Sequence, residues 1–155
     1  MDISVSWHQP MFLNWNKSRY DFRNHTLENI METSGVYIFG RTHGKQSYPL
    51  YIGKTDHLRR RLKQHFNSVS LMQGLHEAPA GQRFLLVGEI QFRSGQDHKK
   101  VLSILERATI EKILGDGHDI LNVQGTKRPS HTITFKGNRV SQKMLGRTIK
   151  MLTSA

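Results

Sequence analysis

The sequence predicts an α/β (α+β) fold, a small, mainly antiparallel three-stranded sheet flanked by helices. Three observations carry this. Gly35-Val36-Tyr37-Ile38-Phe39-Gly40 and Leu50-Tyr51-Ile52 are short apolar runs separated by the turn-like stretch Thr42-His43-Gly44-Lys45-Gln46-Ser47, which together read as a hairpin. Arg83 to Phe92 (RFLLVGEIQF) is the clearest strand and reads as a central one. After each of these strand signals, apolar residues recur at helical spacing.

Residues 1–25 carry Trp7, Phe12, Trp15, Tyr20 and Phe22. Disordered tails are poor in aromatics, so this segment is expected to pack on the domain. Leu27 to Glu32 reads as a short helix capped by Thr26. After the hairpin, Thr55 or Asp56 caps a helix whose apolar stripe is Leu58, Leu62, Phe66 and Val69. Ser68 to Gln82, with Gly74, Pro79 and Gly81, reads as a loop or a broken helix. Asp97 caps a long helix reaching about Leu114, with Val101, Leu102, Leu105, Ala108, Ile110 and Ile113 on its buried side. Gly115-Asp116-Gly117 ends it. Beyond lie an extended piece at Ile120 to Val123, an edge strand at Thr132 to Phe135 and a basic helix at Val140 to Leu152. The expected organisation is a single domain over 1–155, with a core at 35–122, an aromatic-rich N-terminal extension at 1–34 and a basic C-terminal extension at 123–155.

A chain of 155 residues is long enough to bury a core. No stretch approaches the run of about 18 apolar residues that spans a membrane, so no membrane partner is expected. The N-terminus, MDISVSWHQP, has an acidic second residue and no apolar h-region. Cysteine is absent, which excludes disulfides and cysteine-based zinc sites and fits a cytoplasmic location. The net charge of +11 and the pI near 10.3 point to a polyanionic partner, with nucleic acid favoured over ribosomal or membrane-surface binding. The charge is uneven. Lys54, Arg59, Arg60, Arg61 and Lys63 share one helix-length segment, and no acidic residue occurs from Ile120 onward.

Three polar features stand out. Arg61 and His65, four apart, are neighbours on one helix face beside the apolar stripe. Glu106 sits between Leu102 and Ile110 at helical spacing, and a carboxylate beside a buried face calls for a cation or a metal. Tyr37 and Tyr51 lie on the two hairpin strands, each near a glycine. Singly, each has an ordinary structural reading: core tyrosines, a rim carboxylate, a surface pair.

In chain order, Gly35-Val36-Tyr37, Tyr51-Ile52-Gly53, Arg61, His65, Glu106 and Asn122 resemble the pattern of the GIY-YIG nuclease family. The second signature is intact, and the first has valine for isoleucine. Arg61 lies eight residues after Gly53 and His65 four after that, spacings similar to those of the family's homing and restriction endonucleases. The resemblance covers 35–122 and implies a metal-dependent endonuclease that hydrolyses DNA phosphodiester bonds.

On that resemblance, Glu106 would be the main ligand of a single divalent ion. One carboxylate without cysteine suits magnesium, which keeps most of its waters, with manganese as a substitute. Arg61 would hold the scissile phosphate as a fork. Tyr37 or Tyr51 would act as general base or orient the water, and His65 would take the tyrosine proton or hold its oxygen. Asn122 completes the catalytic set, and Gly35 and Gly53 are its structural glycines. A tyrosine base near neutrality needs its pKa lowered by about 3 units, roughly 4 kcal/mol. Desolvation opposes this, so Lys54, Arg61, His57 or the metal must supply the charge.

Lys54, at the helix entrance, is also placed to meet a phosphate. Arg59, Arg60 and Lys63 are expected to track a nucleic-acid backbone without sequence preference, and Lys127, Arg128, Lys136 and Arg139 to extend that surface. Glu111, before Lys112, reads as solvated, and Asp116, His118 and Asp119 as helix-ending polar residues. The alternatives are an inactive nucleic-acid-binding module on a nuclease fold and an RNA-directed nuclease or toxin. The oligomeric state is left open.

Overall fold

A computed structural model describes residues 1–121 and 130–152. The fold class is as expected, a mixed α+β arrangement around an antiparallel sheet. Six strands form that sheet: β1 (Ser4–Trp7), β2 (Met11–Asn16), β3 (Arg19–Phe22), β4 (Gly35–His43), β5 (Gln46–Thr55) and β6 (Gln82–Gln91). The order is β3-β2-β6-β4-β5. β1 and β2 share one edge of β6, pairing with its C-terminal and N-terminal halves respectively. The three expected strands are therefore the β5-β4-β6 half, and the aromatic N-terminal segment supplies the other three. Alternation explains β2: Met11 and Leu13 are buried and Trp15 half-buried, while Phe12, Asn14 and Asn16 face out.

β5 is an edge strand, which is why it tolerates Pro49. The β4–β5 register shifts between Phe39 and Gly40, opposite that proline. At Gly35 an added Cβ would overlap the Gly88 carbonyl oxygen and Leu58, so the first glycine of the pattern allows sheet and helix to close.

Two helices pack on one face of the sheet, α1 (Leu58–Phe66) and α2 (Val69–Glu77). Tyr37, Phe39, Leu58, Leu62, Phe66, Met72, Leu75 and Leu85 form the main core there. α3 (His98–Gly115) covers the other face, where Leu105, Ile110 and Ile113 pack on Val36, Ile52 and Ile120. Asp97 caps α3 as expected, its side chain accepting from Lys100 N. Ala108 is exposed, so the buried stripe of α3 is narrower than expected. Leu27–Asn29 is a single 3₁₀ turn preceded by Thr26.

Three expectations for α1 and α2 change. α1 starts after His57 rather than Thr55 or Asp56, although Thr55 Oγ1 accepts from His57 N at 3.1 Å. α1 stops at Asn67, so Val69 leaves the apolar stripe and is 81% exposed at the start of α2. α2 itself falls where a loop or broken helix was expected. Ser68 caps it by accepting from Leu71 N, and Leu71, Met72 and Leu75 bury one face.

The 78–81 turn after α2 is held by a buried Arg83. Its guanidinium donates to the carbonyls of Leu75, Ala78, Pro79 and Gly81 at 2.8–2.9 Å. Arg83→Met keeps the apolar stem but leaves those acceptors without donors. It is expected to cost about 3 kcal/mol, read as a lower urea midpoint at unchanged slope.

At the C-terminus, β7 (Ser130–Thr134) and β8 (Thr148–Leu152) pair antiparallel, with α4 (Arg139–Leu145) between them. The expected helix over Val140 to Leu152 is thus a short helix and a strand. Gly146, at φ 77°, turns the chain out of α4, and the rest pairs with β7.

Candidate active site

Strand register builds the tyrosine pair. Tyr37 faces Gly53 and Phe39 faces Tyr51 across β4–β5, which puts the two tyrosines diagonally on one sheet face. Their rings lie 6.5 Å apart and 18° from parallel. Tyr37 lies directly over Gly53, where any Cβ would overlap its hydroxyl and ring carbons. The second glycine of the pattern is the floor on which this tyrosine rests.

α1 brings the histidine. His65 is 6% exposed, and its Nε2 lies 2.5 Å from the Tyr37 hydroxyl. Its ring is 5.3 Å from that of Tyr37 and 5.2 Å from that of Tyr51, with Phe39 closing the cluster. One turn earlier, Arg61 is exposed and donates to Gln64 Oε1 at 3.1 Å. Tyr51, Arg61, Gln64, His65, Ser68 and Ser70 line a cavity of about 360 Å³, together with Leu71, Gly74 and Leu121.

Burial decides the protonation states. It pushes the Tyr37 phenol up to about 12, against the opposing Arg61 guanidinium, while Tyr51 and the Glu106 carboxylate add to the rise. Tyr51 is raised as well, first by burial and then by Glu106, with Arg61 again opposing. Burial and then Arg61 bring His65 down to about 4. Among the protein's own groups, burial outweighs Arg61 at Tyr37, so Arg61 alone does not poise a phenolate. At neutral pH the pair is a phenol and a neutral imidazole, so Tyr37 donates to a bare Nε2 and the ring proton sits on Nδ1.

This pair ties stability to pH. His65 binds its proton near 6.5 when unfolded but near 4 when folded. Its contribution is fully present above pH 6.5 and is lost as pH falls through 6.5 to 4. The loss is on the order of 3 kcal/mol. Urea titrations across that window are expected to show it, and His65→Gln to flatten the slope. An unchanged slope in the variant would assign the acid loss to other groups.

Glu106 approaches from the other side of edge strand β5, on α3. Its Oε2 is 3.3 Å from Lys54 Nζ, which also donates to Ser103 Oγ at 2.9 Å. Lys54 is therefore the counter-ion of Glu106 rather than a free cation at the α1 entrance. Its position in the strand explains this: residue 54 points to the α3 face, opposite Tyr51 and Gly53. Among the described residues, no three His, Asp or Glu gather into a metal cluster. A half-exposed single carboxylate fits a hydrated magnesium ion, which needs few protein ligands, and does not fit structural zinc.

The remaining expected residues divide. Arg59 donates to the Ile30 and Glu28 carbonyls and to Glu32, so it fastens the 3₁₀ segment to α1 and leaves the set of backbone-tracking cations. Arg60 and Lys63 are exposed on α1, and Lys136 and Arg139 on the C-terminal unit. Asn122, Lys127 and Arg128 lie outside the described residues. Glu111 pairs with Arg107 at 2.8 Å and Asp116 with Lys112 at 2.6 Å, as solvated helix partners would. Sequence reasoning missed Gln64, Ser103 and the α2 wall. The wall was readable from Ser68 as a cap before Leu71, Met72 and Leu75, whereas the two hydrogen-bond partners carried no pattern.

No curated protein and no solved structure is matched by this chain. Residues 33–112 match the family model described as the GIY-YIG catalytic domain. That range is just over half of the chain and holds both tyrosine strands, Arg61, His65 and Glu106. The order of residues, the tyrosine–histidine geometry and this match agree, and the chain belongs to the GIY-YIG family.

Proposed function

We propose that this protein is a divalent-metal-dependent endonuclease that hydrolyses DNA phosphodiester bonds at the Tyr37–His65–Arg61–Glu106 site. The observation that carries the reading is the buried 2.5 Å hydrogen bond from Tyr37 to His65, beside an exposed arginine and across β5 from a carboxylate. Tyr37 is the tyrosine whose proton already has an acceptor, so it is preferred to Tyr51 as the base. No free phenolate is needed. Tyr37 takes the proton of the attacking water as its own proton passes to His65 Nε2. Arg61, which donates to Gln64 Oε1 and also acts on the Tyr37 hydroxyl, turns its remaining donors to the scissile phosphate. A magnesium ion held by Glu106 would supply charge for the developing phosphorane and the leaving oxygen. Arg60, Lys63, Lys136 and Arg139 support backbone contacts that weaken with salt.

Nuclease family membership implies a nucleic-acid substrate, and no helix among the described residues is long and apolar enough to cross a membrane. Matched DNA and RNA strands of one sequence, incubated with the protein in magnesium, test the substrate assignment. Cleavage of DNA with RNA left intact is expected. Cleavage of RNA alone would make this an RNA-directed enzyme.

A further inference from the structure

A larger cavity, of about 860 Å³, adjoins the catalytic one; Gly74 and Leu121 line both. Arg41, Tyr48, Glu77, His118 and Asp119 line it too, and none has a part in the chemistry above. Arg41 and Tyr48 are cross-strand partners on β4 and β5. The guanidinium carbon lies 4.2 Å from the Tyr48 ring centroid, and His118 meets that ring edge-on at 5.8 Å. Nη1 of Arg41 donates to the Ala80 carbonyl at 3.0 Å, while its Nε–H is buried without a hydrogen-bond partner.

The chemistry of this lining selects its occupant. Glu77 and Asp119 repel a phosphate, so the cavity is not a continuation of the backbone track. Flat aromatic and guanidinium surfaces favour a flat heterocycle. The two carboxylates call for N–H donors, which a nucleobase presents along its pairing edge only when it is unpaired. We propose that this cavity is a nucleobase subsite that takes an unpaired base flanking the scissile phosphate. The carboxylates favour bases with an exocyclic amino group (adenine, cytosine, guanine) over thymine. The proposal rests on the nuclease reading and deepens it: the substrate strand is opened, or already unpaired, next to the cut.

A cross-strand Arg–Tyr pair also stabilises a hairpin, so the test reads a ratio that partial unfolding does not move. Fluorescence anisotropy in EDTA would compare a fully paired DNA duplex with the same duplex carrying a three-nucleotide bubble, for the full-length chain. The wild type is expected to bind the bubble about tenfold tighter. Tyr48→Leu is expected to bring that ratio close to one at similar duplex affinity. Asp119→Asn is expected to narrow the difference between an all-cytosine and an all-thymine bubble. Equal binding of bubble and duplex by the wild type overturns the subsite and leaves the nuclease reading standing. A ratio unchanged by Tyr48→Leu overturns it as well. Failure to bind either DNA overturns both readings.

Discussion

Glu106→Ala is expected to lower single-turnover cleavage by about 10³-fold or more in magnesium, while the fold stays intact. A metal's Lewis-acid contribution is several kcal/mol of transition-state stabilisation, and each 1.36 kcal/mol is about tenfold in rate. The cost to folding is small. Lys54 and Glu106 are partly exposed, at 33% and 29%, so their ion pair contributes under about 1 kcal/mol. Lys54 also keeps its hydrogen bond to Ser103. Calorimetric titration with manganese separates this from a structural effect: the wild type is expected to bind the ion and the variant to lose that heat. A variant that cuts at the wild-type rate would remove Glu106 as the metal ligand.

Tyr37→Phe is the second large effect. The ring stays on the Gly53 floor and in the aromatic cluster, so packing is retained. The proton path is lost. General acid–base catalysis contributes about 10²- to 10⁴-fold, so cleavage is expected to slow by about 10³-fold. Stability is expected to fall by about 1–2 kcal/mol, because buried His65 Nε2 loses its donor. Tyr51→Phe is expected to cost less, because the hydroxyl bonded to His65 Nε2 is that of Tyr37. The reverse ranking would make Tyr51 the base. Since Tyr37 stays protonated to about 12 and His65 neutral down to about 4, this pair adds no ionisation to the rate profile between pH 5 and pH 10.

The parts of the fold that carried apolar runs were legible. Gly35 to Gly40 and Leu50 to Ile52 are such runs on β4 and β5, and Arg83 to Phe92 maps onto β6 within one residue. The N-terminal strands were hidden because β2 and β3 are short and joined by Lys17 at φ 58° rather than by a glycine. β8 was hidden because TIKML suits a basic helix as well as a strand, and only its pairing with β7 decides. At the site, residue order was enough to bring Tyr37, Tyr51, Arg61 and His65 together. What order did not carry is the direction of a side chain at an edge. Lys54 and Arg59 both looked like free cations, yet one points across the sheet to Glu106 and the other back to the 3₁₀ turn. The protonation states also needed burial, since the same cations near a solvated tyrosine would have lowered its pKa.

Conversion of supercoiled plasmid to the nicked form tests the account most directly. The full chain is predicted to nick DNA in magnesium, to stop when EDTA is added, and to fail in the Glu106→Ala variant under the same conditions. Plasmid left intact by the wild type in both magnesium and manganese would contradict the account and leave the chain as a nucleic-acid-binding member of its family.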